Sequence, residues 1–153
     1  MVQQFVHTGE EPVSYRVLTL FGEALYCMRS RNDSCGGKLE KAQSPSDFAG
    51  HNMVATAREG TIDLVDDAEV IEFAAEVAAV FDAIPVLGVD VLRDMHTGEL
   101  YCVEVNPFGQ TWHFSSELGK LIQESNGICF AKQFGAFELA AEIFIKKARE
   151  LAQ

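Results

Sequence analysis

The stretch that most constrains this chain is residues 87–108, LGVDVLRDMHTGELYCVEVNPF. Two runs of period-two alternation, 88–93 and 100–105, flank a turn-rich cluster of Met95, His96, Thr97 and Gly98. That is the pattern of an antiparallel hairpin. Centred on Thr97, the hairpin sets Val89 against Val105, Val91 against Val103 and Asp90 against Glu104. Side chains two apart on a strand share a face, so Asn106 joins the two acids if the strand reaches it. One face is then apolar and the other acidic.

Two carboxylates directly opposite each other on neighbouring strands have β-carbons about 5 Å apart, and like charges there weaken the pairing unless something offsets them. Two arrangements fit. The acids are solvated on the outer side of the hairpin, or they share a divalent cation. A donor set of Asp90, Glu104 and Asn106, with Cys102 the one nearby sulfur, suits Mg2+ or Mn2+ better than Zn2+.

The segment GVDVLRD, its short turn and LYCVEVNPF resemble the metal-binding hairpin of the ATP-grasp superfamily. There an Asp on one strand and a Glu-x-Asn on the next hold Mg2+ ions that bridge ATP phosphates. The resemblance implies ATP and Mg2+ as cofactors, with Asp90, Glu104 and Asn106 as the metal ligands. It runs over nearly the whole chain, yet matches only the second, C-terminal half of an ATP-grasp unit of the carboxylate-amine ligase branch. VQQFV followed by HTGEEPVSYRV is similar to the junction between that fold's two lobes. This implies adenine contacts from the backbone of Gln4, Phe5 and Val6, and a ribose contact from Glu10, with Glu11 as competitor.

The same resemblance assigns Arg16 and Arg29 to the phosphates or the acyl-phosphate, a role suited to a rigid fork of donors that stays charged. The competing assignment for both is a cross-strand ion pair, and for Arg31 the ion pair is preferred. Asn52 falls where relatives place an Asn near the triphosphate. His51, Arg58 and His113 contact substrate or face water, and for a lone His the inert role is favoured. The lysine and glycine-rich loop of the preceding lobe have no counterpart, since Gly36-Gly37-Lys38 lacks the spacing of a phosphate loop. The expectation is a C-terminal lobe over 1–153 with its N-terminal lobe absent, inactive alone. The parent enzyme would join a small carboxylate to an amine. The alternative is a non-catalytic metal- or nucleotide-binding module that self-associates as a homodimer or meets a partner lobe.

Composition narrows the remaining classes. A length of 153 residues with 48% hydrophobic content supports one globular domain with a true core. A formal charge of −11 argues against nucleic acid or a membrane surface as partner. No apolar run long enough to span a bilayer and no signal sequence is present, so a cytoplasmic protein is expected. Cys27, Cys35, Cys102 and Cys129 lack zinc-site spacing and are read as reduced thiols.

Along the chain, residues 2–6 form a strand candidate, and VSYRVLTLFGEALYCMRS forms a second hairpin around Phe21, Gly22 and Glu23. Tyr15, Val17 and Thr19 take one face of it, and Arg16, Leu18 and Leu20 the other. Residues 31–60 are loop-like and are expected near ligand. Asp66 or Asp67 caps a helix running to about residue 82, whose Val70, Ala74, Val77, Ala78 and Phe81 should pack on the apolar side of the 87–108 hairpin. A helix begins at Ser115 or Ser116 and stops at Asn126-Gly127. A last helix over 134–151 is expected to bury Phe137, Ala140, Ala141, Phe144 and Ala148 and to expose Lys146, Lys147 and Arg149. The predicted fold is α+β: an antiparallel sheet built from the two hairpins and the first strand, with helices packed on one face.

Overall fold

The structure, a computed structural model, describes residues 5–9, 11–32, 60–81, 83–107 and 112–152. In chain order it contains β1 (Val13–Leu20), β2 (Glu23–Arg31), β3 (Thr61–Leu64), α1 (Ala68–Ala79), β4 (Val86–Arg93), β5 (Leu100–Asn106), α2 (Glu117–Asn126), α3 (Phe130–Gln133) and α4 (Ala136–Leu151). The strands form one sheet in the order β3-β2-β1-β4-β5, with every neighbouring pair antiparallel. The α+β arrangement read from the sequence is the one observed.

Both hairpins form for local reasons. The β1–β2 turn holds Phe21 and Gly22 at φ 49° and 86°, the left-handed pair that matches strand twist in a two-residue hairpin. The Phe21 N–H donates to the Pro85 carbonyl at 2.7 Å, which ties this turn to the start of β4. In the second hairpin the Asp94 carboxylate accepts from the N–H groups of His96 and Thr97 and so shapes the turn.

Three features differ from expectation. Residues 5–9 lie in no strand, and residues 1–4 lie outside the described set. The fifth strand is instead β3, whose four residues TIDL follow the long loop-like segment and pair with Met28–Arg31 of β2. Beyond β3, a side chain closes the edge of β2. Gln133 accepts from the Cys27 N–H at 3.0 Å and donates to the carbonyls of Cys27 and Val65 at 3.1 and 2.9 Å. The Cys27 carbonyl also accepts from the Val65 N–H at 3.0 Å, so Gln133 completes the hydrogen bonding of backbone groups at this edge. Asn126 does the same for β3, accepting from the Ile62 N–H at 3.0 Å.

The layering also differs. Alternation splits the sheet cleanly: Val17, Cys27, Val89 and Val91 pack with Val70 and Ala74 of α1 on one face. Leu18, Leu20, Tyr26, Met28 and Ile62 pack with Ile122, Phe130, Ala136 and Ile143 of α2–α4 on the other. Helices therefore cover both faces rather than one. α1 starts where the sequence placed it, with Asp67 accepting from the Val70 N–H at 3.2 Å. It ends at Ala79, however, and Phe81, expected to pack inward, lies beyond the helix and is 39% exposed. α2 is capped at Ser116 and ends on Gly127 at φ 64°, as read.

The largest correction concerns α4. Its inward residues are Ala136 and Ile143, with Leu139 and Ala140 packed beside them. Phe137 and Phe144, assigned to the core, are 57% and 55% exposed, and Ala141 and Ala148 are exposed as well. Lys147 is half-buried over the ring of Phe21. The helix is turned by about one residue, roughly 100°, from the orientation its apolar pattern suggested.

Two measurements check this account. Phe130→Ala is expected to cost about 3–5 kcal/mol in chemical denaturation, because Phe130 is fully buried. Phe144→Ala should cost less than about 1 kcal/mol, and equal losses would return Phe144 to the core. Burial, with help from Asp67 and Asp66, pushes the Cys27 thiol up from 9.0 to about 12. The unfolded chain ionises it first, so its contribution is intact below the ordinary thiol range and is lost as pH rises toward 12. Denaturation midpoints should therefore fall more steeply above pH 9 in the native sequence than in Cys27→Ala.

Candidate functional site

α2–α4 rest on β2 and β3, so among the described residues the β4–β5 end of their face of the sheet is left open. Asp90 and Asn106 are half-buried there and Glu104 is exposed. Asp90 has Arg16 as its register partner on β1 and Glu104 as its partner on β5. Arg16, Asp90 and Glu104 therefore stand in one row across three strands. Asn106 lies two residues along the same face.

A β-bulge builds this row. Near the turn, Arg93, Leu92 and Val91 pair with Leu100, Tyr101 and Cys102, and the register then shifts so that Asp90 meets Glu104. Val103, expected opposite Val91, is the extra residue and is 45% exposed. Had the turn-side register continued, Val103 would face Asp90, and Glu104 would face Val89 on the apolar side. The shift moves Glu104 and Asn106 onto the face of Asp90.

Arg16 grips Asp90 with both arms of its fork: Nε donates to Oδ1 and Nη2 to Oδ2, each at 2.6 Å. The pair is only 23% and 19% exposed. The Asn106 amide nitrogen donates to Asp90 Oδ2 at 3.2 Å. The bond to Asp90 raises the Arg16 guanidinium above its usual range against the opposing effect of burial; the charge of Asp90, then Tyr26, then Glu104 adds to the rise.

Beneath this row lies a pair that motif reading missed. The Tyr26 hydroxyl is 2.8 Å from His113 Nδ1, the rings stack at 24°, and both residues are fully buried. Burial pushes the Tyr26 phenol well above its usual value; Arg16 opposes the rise and Asp90 adds to it. His113 thus faces neither substrate nor water. Gly119 holds it in place, since a β-carbon there would stand 2.0 Å from the His113 carbonyl oxygen. The available signal was Gly119 itself, in the first turn of a helix where glycine is otherwise unfavourable.

The other sequence-derived candidates separate. Arg29 pairs in register with Tyr15, whereas Arg16 pairs with Met28, so the two arginines point to opposite faces. Arg29 donates to Asp63 at 3.0 Å and Arg31 lies 2.9 Å from the same carboxylate. Arg29 thus makes the cross-strand ion pair that was its competing assignment, on the face opposite Arg16, and Arg31 forms the ion pair read from the sequence. Phe5 is 52% exposed and Val6 half-buried, in a segment pinned to the β4–β5 turn where the Met95 N–H donates to the His7 carbonyl at 2.7 Å. Gln4, Glu10, Asn52, His51 and Arg58 lie outside the described residues, as does most of the 31–60 segment.

Among the described residues no three His, Cys, Asp or Glu side chains converge on one point. The protein-side donors are two carboxylates and an amide, all oxygen. This set is too small for an all-protein cage and matches Mg2+, which commonly keeps one or two carboxylates and takes its remaining ligands from water and phosphate. By donor type the residues fit the ion, while both Asp90 oxygens are held by Arg16. No described helix is long and apolar enough to cross a membrane.

The fold and site thus define an α+β domain with an open, charge-paired acidic strand face. Among solved structures it is similar to the ATP-grasp ligase PsnB. With minimal precursor bound, that enzyme matches at 14% identity and a TM-score of 0.45, over 80% of this chain and 35% of PsnB. With a phosphomimetic precursor variant, Mg and ADP, it matches at 16% identity and a TM-score of 0.43, over 74% and 32%. The chain spans about a third of the length of these solved chains. No family model and no curated protein matches it.

The Arg16–Asp90 pair can be weighed by a double-mutant cycle. Arg16→Met and Asp90→Asn should each destabilise by about 1.5–3 kcal/mol, with a coupling of at least about 1 kcal/mol. Additive losses would show that the two side chains do not act as a pair.

Proposed function

We propose that this chain is the ATP- and Mg2+-binding half of an ATP-grasp ligase that joins a carboxylic acid to an amine through an acyl-phosphate. The observation that carries this proposal is the row of Arg16, Asp90 and Glu104 with Asn106 bonded to Asp90. It places the three oxygen donors of the Gly-Val-Asp and Glu-Val-Asn segments on one open face beside a fixed guanidinium.

On this proposal Asp90, Glu104 and Asn106 hold Mg2+, with Mn2+ as an alternative ion. When bound, it neutralises charge on the β- and γ-phosphate oxygens. Arg16 aims the Asp90 carboxylate, and its remaining N–H donors would be available to steady a transferred phosphoryl group. Arg29, paired with Asp63 on the opposite face, lies away from this row. The Tyr26–His113 pair anchors the residues just before α2 against the sheet. The carboxylate and amine substrates would be chosen by residues outside this face. The protein would act in the cytoplasm.

Thermal denaturation tests the proposal. ATP or ADP with Mg2+ should raise the melting temperature by several degrees, since a hundredfold excess over the dissociation constant contributes about 2.7 kcal/mol. The shift should vanish with EDTA and in Glu104→Gln. A melting temperature indifferent to nucleotide in both forms would sink the assignment and leave a structural module.

A further inference from the structure

Residues 5–9 lie in no strand, so no sheet ladder holds their backbone. Contacts made by His7 hold it instead. Its carbonyl accepts from the Met95 N–H at 2.7 Å, and its ring stacks on that of His96, with centroids 4.9 Å apart and planes at 27°. Phe5 meets the His7 ring edge-on at 6.4 Å. One residue further, Thr8 Oγ1 accepts from the Val13 N–H at 3.0 Å and ties the segment to the start of β1.

This clasp is built from both sides. On the hairpin side, the Asp94 N–H donates to the Glu99 carbonyl at 2.9 Å, and the Asp94 carboxylate accepts from the His96 and Thr97 N–H groups at 2.8 and 3.0 Å. These bonds use the His96 backbone. Its ring is exposed and meets His7. On the segment side, His7 Nδ1 is buried with no hydrogen-bond partner among the described residues, so the ring is kept in place through its aromatic contacts. The clasp joins two places on the molecule. Asp90 stands in the acidic row of β4, and Asp94 follows four residues later, about 13 Å along an extended chain. On the nucleotide reading, the phosphates lie at Asp90, Glu104 and Asn106 and the base at the backbone of Phe5 and Val6. A ligand reaching both meets contact points whose separation is set before it binds, and such preorganisation lowers the ordering cost of binding.

We infer that His96 is a positioning residue for the base end of the nucleotide: through its stack on His7 it fixes Phe5 and Val6 relative to Asp90, Glu104 and Asn106. This rests on the nucleotide reading and adds to it the device that sets the spacing of the two ends. Calorimetric titration of the 153-residue chain with Mg–ATP and with Mg–tripolyphosphate, which lacks the nucleoside, separates them. His96→Ala should weaken ATP about tenfold and leave tripolyphosphate within about twofold. His96→Phe, which keeps a flat ring for His7, should bind ATP as the native chain does. Without ligand both variants should melt as the native chain does, because the His96 side chain is exposed, and amide exchange at Met95 should quicken only in His96→Ala. Equal weakening of both ligands, unchanged ATP affinity in His96→Ala, or no recovery in His96→Phe would each overturn the inference while the nucleotide reading stands. A native chain that binds tripolyphosphate as tightly as ATP would overturn it and leave the metal row intact. One that binds neither would remove the reading and the inference together.

Discussion

The register of β4 against its two neighbours governs everything at the open face. From Tyr15↔Val91 to Leu20↔Val86 the β1–β4 ladder runs six pairs without interruption. Val17, Val89 and Val91 are fully buried on the α1 side, and a slip of one residue would drive Arg16 and Asp90 into that core. Packing on one face therefore fixes charge on the other. The same register puts Arg16 beside Asp90, so the carboxylate gives up part of its solvation only where two charge-assisted bonds offset the loss. Glu104 stays exposed, and its repulsion with Asp90 is screened by water and offset by the Arg16 guanidinium on the other side of Asp90.

The sheet's flanking strands are where regularity fails, and both failures shape the site. In the β1–β2 hairpin, Thr19 pairs with Ala24 and Leu18 with Tyr26, leaving Leu25 as the extra residue. A two-residue turn with no bulge would pair Arg29 with Ser14 and bring it onto the face of Arg16. The bulge moves it to the other face, where Asp63 receives it. In β5 the bulge at Val103 acts in the opposite sense and brings acids together. One irregularity separates two arginines, and the other assembles three oxygen donors.

Much of this was legible in the sequence where the signal is local. Alternation gave both hairpins and the face assignment of residues 15–20, and caps gave the starts of α1 and α2 nearly to the residue. The Asp90–Glu104 pairing was also readable, although through a register that holds only on one side of Val103. Neither bulge was legible, because Leu25 and Val103 are apolar residues between apolar neighbours and alternation cannot say which is extra. β3 was hidden by its length: four residues carry too few alternations to stand apart from a loop. α4 is ambiguous in principle. Ala136, Leu139, Ala140 and Ile143 form one apolar face, and Phe137, Ala141, Phe144 and Ala148 form another with larger side chains. Choosing the larger is the natural inference from hydrophobicity, yet tertiary anchoring decides otherwise. Gln133 is fastened to the edge of β2 and Phe130 is sunk beside Tyr26, their rings 4.6 Å apart. The helix that follows has no freedom to turn its phenylalanines inward.

The Arg16–Asp90 pair carries a further consequence for the proposed ligand. Arg16 cannot swing its donors wholly to a phosphate without leaving Asp90 a half-buried, poorly paired anion, and Asp90 cannot give itself wholly to a cation without stranding Arg16. Each change made alone incurs the cost of an unmatched charge away from bulk water, commonly several kcal/mol when a buried pair is broken. A ligand that delivers a cation and a polyanion together satisfies both side chains at once, because each finds a replacement partner in the same event. The pairing therefore disfavours a bare metal ion and disfavours free phosphate, while leaving the combined ligand unopposed. In a chain whose formal charge is −11, such coupling would give this acidic face a selectivity for the combined ligand that charge alone does not confer.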